Sequence, residues 1–169
     1  MSNVITIFWR EYKSYFVSPI AYVVIGVFLI LVSNRFIYKF NDFVQMSFTA
    51  TAQAVNTQNV IPKFSINDSV IRYVFHNIRN ISLFLLPMIT MRLFAEERRT
   101  GTLELLLTSP LTIMQLVLGK FLAAFALFLT MVMPTVSFSF YLFQYGNPDL
   151  GPILTSYAGI IFYGTAVIS

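Results

Sequence analysis

A chain of 169 residues that is 57% hydrophobic and only 11% charged, with a mean hydropathy of +0.73, lies far from a soluble domain, where roughly 25% of residues carry charge. It reads as an integral membrane protein. A small, scattered net charge of +4 argues against nucleic acid as a partner and suits basic residues at membrane boundaries; the absence of cysteine excludes disulfides and thiolate metal sites.

The N-terminal stretch MSNVITIFWREYKSYF does not read as a signal peptide, because charge and bulky aromatics precede the apolar run and no small-residue cleavage site follows it. Ile5, Phe8, Trp9, Tyr12 and Phe16 recur at helical spacing, with Arg10, Glu11, Lys13 and Ser14 on other faces. That pattern predicts an amphipathic helix over about 4–16 lying in the membrane interface. Ser18-Pro19 then opens a new helix. The apolar run from Ile20 reaches spanning length only if it continues through Phe36 and Tyr38, with Asn34, Arg35 and Lys39 snorkelling into the far interface. This is a first span over about 19–38.

Residues 39–72 are rich in Asn, Gln, Ser and Thr without sustained periodicity and are expected to form an external loop or cap. Asn67-Asp68-Ser69 matches a glycosylation sequon, which matters only in a eukaryotic secretory pathway. A second span is expected over about 73–94, since Ile81 to Ala95 is too short to cross alone. Its early part carries Arg72, His76 and Arg79 at i, i+4, i+7, on one face. Two readings stand for them: boundary residues in the headgroups, or a polar stripe lining a pathway. Pro87 should kink this helix.

Between Pro87 and Pro110 the chain changes character twice. It passes from apolar segment to a charged cluster (Arg92, Glu96, Glu97, Arg98, Arg99), then turns at Thr100-Gly101 into a short leucine-rich element, Thr102 to Thr108. Leu103, Leu106 and Leu107 would share one face of a two-turn helix, with Glu104 on another. A helix that short is marginal alone in water and must dock on something. A third span follows over about 115–141 and, after the Gly/Pro turn in QYGNPDLGP, a fourth over about 153–169. At ~1.5 Å per residue the fourth would be ~25 Å long against a ~30 Å hydrocarbon core, so the sequence reads as part of a longer membrane domain. Basic residues are nearly balanced between the two sides, but those of the short connection at about 95–112 are denser. The positive-inside rule therefore places that connection and the N-terminus in the cytoplasm.

No enzyme emerges. Gly119-Lys120 lacks the upstream glycine and following Ser/Thr of a phosphate loop, so the chain is not itself an ATPase. His76 is the one histidine, and Glu96 and Glu97 sit among arginines as an ion-pair cluster. An intramembrane site built from His76, Arg79 and Asn80 would lack a nucleophile.

Two blocks, REYKSYFVSPIAYVVIGVFLI and LLPMITMRLFAEERRTGTLELLLTSPLTIMQLVLGKFLA, with the later NPDLGPILTSYAGI, together resemble the membrane permease subunit of type-2 ATP-binding-cassette transporters. The flavour is nearest to the bacterial permeases associated with gliding motility and nitrous-oxide-reductase maturation. The resemblance implies an all-α polytopic bundle with an N-terminal elbow helix and six spans, in the bacterial inner membrane. It also implies a second permease subunit and a separate nucleotide-binding subunit that holds the ATP, with no cofactor in this chain. In that family the connection between the second and third spans couples to the ATPase. Glu96, Glu97, Arg98, Arg99, Gly101, Thr102, Glu104 and Leu105 to Leu107 match that block, beside Leu103. Two departures are visible: four candidate spans instead of six, and a polar start to the second. A non-transporting anchor that recruits an ATPase is the alternative the residues leave open.

Overall fold

A computed structural model describes residues 2–57, 67–100, 112–145 and 148–169; of residues 92–100 it describes the backbone only. Among the described residues there are six α-helices and no strand: α1 (Ser2–Val17), α2 (Pro19–Thr57), α3 (Arg72–Thr100), α4 (Ile113–Val132), α5 (Val136–Tyr145) and α6 (Leu150–Ile168). A π-helical turn, Asn67–Ile71, leads into α3, and a 3-10 turn, Met133–Thr135, joins α4 to α5.

Local chemistry accounts for the breaks. Pro19 opens α2 with only Ser18 between it and the end of α1, where its missing N–H would be unpaired in any case. Thr112 caps α4, its hydroxyl oxygen accepting from the Gln115 N–H at 3.4 Å. Pro134 cannot donate into an α-helical ladder, and the chain tightens there into the 3-10 turn.

The first part of the loop expected over 39–72 is corrected: α2 continues without a break to Thr57, while residues 58–66 lie outside the described residues. Polar composition without periodicity suggests a loop, but here the hydroxyls bond back along the helix. Ser47, Thr49 and Thr51 donate their hydroxyls to the carbonyls of Phe43, Gln45 and Ser47 at 2.8, 2.9 and 2.8 Å, satisfying them without leaving the helix. No Gly or Pro lies between Gly26 and Thr57 to stop it.

Among the described residues, three helical stretches are long and apolar enough to cross a membrane: Ala21–Ala54, Met114–Gln144 (α4 and α5 together) and Leu150–Ile168. α3, of whose residues 92–100 only the backbone is described, is not among them. The chain is thus a multi-pass membrane protein, all-helical in its described elements. Its centre is a seam of Val24, Phe28 and Val32 from α2, Val74, Ile78 and Leu86 from α3, and Phe128 and Met131 from α4, all buried. In lipid the hydrophobic effect does not drive helices together, so close packing and small residues must do so. Gly164 of α6 meets the Phe128 ring and Gly119 of α4 meets Ile7 at distances that leave no room for a side chain.

α1 leans along α4. Ile7 lies against Gly119, and the Tyr12 hydroxyl is 3.0 Å from Thr130 Oγ1. Ile7 faces the protein at 6% exposed, whereas Ile5 is 58% and Trp9 52% exposed. Ile5 and Trp9 face outward, as a helix in contact with lipid headgroups requires.

Candidate functional site

Where α2 passes the start of α3, two helix faces enclose an open groove of about 510 Å³. One wall is Lys39, Asp42, Phe43 and Met46, the other Ser69, Arg72, Tyr73 and His76. Each set follows i, i+3, i+4, i+7 spacing, which puts its members on a single face. Lys39 ties the walls together. Its Nζ donates to Asp42 Oδ2 at 2.6 Å and stands 5.5 Å from the centroid of the Tyr73 ring, within cation–π range.

His76 links the groove to the next turn of α3. Arg79 Nη2 lies 3.0 Å from His76 Nδ1, and the Asn80 amide 3.1 Å from Nε2. A guanidinium can only donate, so Nδ1 accepts and the ring proton of the neutral imidazole sits on Nε2. The Asn80 amide must then turn its oxygen toward that proton, an orientation assigned from the hydrogen bonding since amide nitrogen and oxygen have the same shape. Of the candidate pathway residues, Arg72 and His76 line the groove and Arg79 is held beside it through His76; all three are exposed on the isolated chain.

Lys39, Asp42, Phe43 and Met46 were missed by sequence reasoning, because ending the first span at Tyr38 left them in a supposed loop. Their helical spacing was the available signal. A second cluster was missed as well: the Tyr157 hydroxyl lies 3.4 Å from Thr135 Oγ1 and 3.3 Å from Ser139 Oγ, with the Tyr157 ring edge-on to Phe75 at 4.7 Å. This polar knot pins α6 to the 3-10 turn and α5.

A separate apolar cavity of about 170 Å³ lies where α1, α2, α3 and α4 converge, between Tyr15, Ala21, Val24, Met88, Leu127 and Met131. Met88 of its lining follows Pro87, which lies inside α3 and deprives the Leu83 carbonyl of its helical donor.

The charged cluster falls in the last described turns of α3: the backbone of Glu96, Glu97, Arg98 and Arg99 is helical, and α3 is described as far as Thr100. Gly101, Thr102, Leu103, Glu104, Leu105, Leu106 and Leu107 lie outside the described residues.

No curated protein and no solved structure matches the chain. A sequence model of the family described as "ABC-2 family transporter protein" matches residues 5–169. With nearly its whole length so matched, the chain belongs to the ABC-2 transporter family and is a membrane permease component of an ATP-binding-cassette transporter.

Proposed function

We propose that the chain forms one half of a dimeric permease, driven by a separate cytoplasmic nucleotide-binding subunit that supplies the ATP. The observation that carries this reading is the family match across residues 5–169. The blocks around Pro19 and 87–110 further favour the type associated with gliding motility and nitrous-oxide-reductase maturation.

In this reading α1 is the elbow helix and α3 a fourth crossing. Register supports the latter. Lys39 stands over Tyr73, while Val24 and Met88 line one cavity. The two marks are ~23 Å apart along each helix at 1.5 Å per residue, so α3 runs antiparallel beside the apolar part of α2 for most of a ~30 Å core. Arg79 then lies in the outer third of that crossing, exposed on the isolated chain. An arginine facing hydrocarbon costs ~2.5 kcal/mol or more. That face suits a second permease subunit, or a wet path between two copies, better than lipid. Arg72, His76 and Arg79 become residues of the path.

ATP-driven closure of the partner is transmitted through Glu96 to Pro110 into α3 and α4, which bracket that segment. The N-terminus and residues 95–112 then lie in the cytoplasm, with the 39–72 region outside the cell membrane. Single cysteines test this cleanly, since the chain has none. Thr51→Cys should react with an impermeant thiol reagent in intact cells, and Thr100→Cys only after the membrane is opened. The reverse pattern would sink the orientation and, with it, coupling through residues 96–110.

A further inference from the structure

The cavity between α1, α2, α3 and α4 is larger than packing faults are. Protein interiors leave few voids bigger than a water molecule, and one water needs only ~10–15 Å³; this cavity holds about 170 Å³. Helices in lipid are held together by close packing, so wall atoms that face empty space lose the contacts that should hold them. The deep walls are Ala21, Val24, Leu127 and Met131, each 7% exposed or less. The rim is Met88, 61% exposed. Tyr15 brings the one hydroxyl of the lining, and no lining residue carries a charge.

These walls select the occupant. Without a charged partner they reject ions and zwitterions, whose burial is costly. An apolar cavity of ~150 Å³ stays dry and takes a benzene-sized molecule, so about 170 Å³ admits one ring with a small substituent. Two thioethers, Met88 and Met131, line the space. Sulfur makes favourable contacts with ring edges at ~5 Å, and the unbranched methionine chain adapts to what it meets. Depth separates a free molecule from a lipid tail. Ala21 to Ile25 follow Pro19, the first residue of α2, by ~3–9 Å at 1.5 Å per residue. The end of a lipid tail lies near the mid-plane, ~15 Å deep in a ~30 Å core. A tethered tail would have to fold back to fill this space, whereas a compact free solute would not.

We propose that this cavity binds a small uncharged aromatic molecule, which enters from the bilayer past Met88 and seats against Ala21, Val24, Leu127 and Met131. Binding follows from the membrane placement of the helices and needs neither ATP nor a partner subunit.

The test uses the purified full chain in phosphatidylcholine nanodiscs and phenyl(trifluoromethyl)diazirine, a single-ring probe that partitions into lipid and attaches on illumination where it sits. Peptide mass spectrometry locates the attachment. Phe162, 74% exposed, reports labelling from the surrounding lipid, which rises in proportion to the probe. Labelling at Met131, 0% exposed, should instead saturate and be displaced by benzene, but not by hexane or lysophosphatidylcholine at equal concentration. Ala21→Leu puts three more carbons into the cavity. It should lower Met131 labelling about tenfold or more, as overpacking warrants, with Phe162 labelling unchanged. A thermal transition at or above the parent's shows that this variant is folded. If the transition falls, Met88→Trp, at an exposed position the fold does not depend on, is measured in its place with the same expectation. Labelling of Met131 that never saturates, or that stays saturable in the folded variant, overturns the proposal. Displacement by hexane as readily as by benzene overturns the aromatic class, and displacement by lysophosphatidylcholine makes this a lipid-tail site and overturns the free-ligand claim. Each of these failures leaves the permease reading standing, and that reading fails separately if the orientation is reversed.

Discussion

Gly164 offers the sharpest test of how α6 is seated. A Cβ at this position would fall 2.1, 2.6 and 2.8 Å from Cε1, Cδ1 and Cζ of Phe128, whereas carbon atoms pack at ~3.5–4.0 Å. The ring cannot swing aside freely, since Phe128 is 1% exposed and belongs to the central seam. Gly164→Ala must therefore push α6 outward by more than an ångström or drive Phe128 from its rotamer, and such overpacking costs ~1–3 kcal/mol. Replacing a helical glycine with alanine returns at most ~1 kcal/mol of propensity. Gly159, on the same helix, has nothing within 4 Å of its added Cβ, so Gly159→Ala should be neutral or stabilising by up to that ~1 kcal/mol. The two substitutions, identical in chemistry, should thus differ by about 2 kcal/mol. Thermal unfolding in detergent, followed by helical circular dichroism, measures the difference. Phe128→Leu in the Gly164→Ala background should recover part of the loss. Equal transition temperatures for the two alanine variants would mean that α6 does not sit against Phe128.

Gly119→Val should dislodge α1, since a Cβ there would approach Ile7 Cγ2 to 2.6 Å; Trp9, the single tryptophan, should shift its emission while the bundle unfolds near the parental temperature, and an unchanged spectrum would argue against the contact. Tyr157→Phe removes only two long hydroxyl contacts of 3.4 and 3.3 Å and should cost ~1 kcal/mol or less, against ~3–5 kcal/mol for Tyr157→Ala, which also empties the space beside Phe75. Equal losses for the two in detergent unfolding would shift the weight from the ring to the hydroxyl.

What the sequence disclosed followed from how strongly each feature is written in it. Spans around Ile20 and from Leu116 onward announce themselves by apolar length, and Pro19 marks a helix start by geometry; the 3-10 turn at Pro134 was not foreseen within the third span. The continuation of α2 to Thr57 was hidden because Ser47, Thr49 and Thr51 read as loop formers, although their hydroxyls bond along the helix itself. Which apolar residue of α1 meets the protein was not legible. Apolarity marks Ile5 and Ile7 alike, and in a membrane it cannot separate a lipid-facing residue from a protein-facing one. The groove shows the remaining limit. Each wall is a periodic set within its own helix, but no local signal pairs Lys39 with Tyr73; that depends on the register between α2 and α3. The segment from Gly101 to Leu107 was conspicuous for a different reason: leucines on one face beside a charged cluster ask for a partner.

That partner is the centre of the account, and Leu106→Asp tests it most directly. If Leu103, Leu106 and Leu107 fill a groove on the nucleotide-binding subunit, an aspartate there buries an unpaired charge and costs several kcal/mol of docking, ~3 kcal/mol or more. Arg98→Ala, in the charged cluster, serves as the mild comparison, because exposed ion pairs contribute only ~0–1 kcal/mol. The measurement is recovery of the nucleotide-binding subunit with the permease after detergent extraction, together with ATP hydrolysis and transport by the complex. Leu106→Asp should insert at parental levels, then either lose its ATPase or retain it with hydrolysis no longer linked to transport. Normal insertion, a retained partner and transport at the parental rate would contradict the claim that residues 102–108 couple ATP to the membrane path.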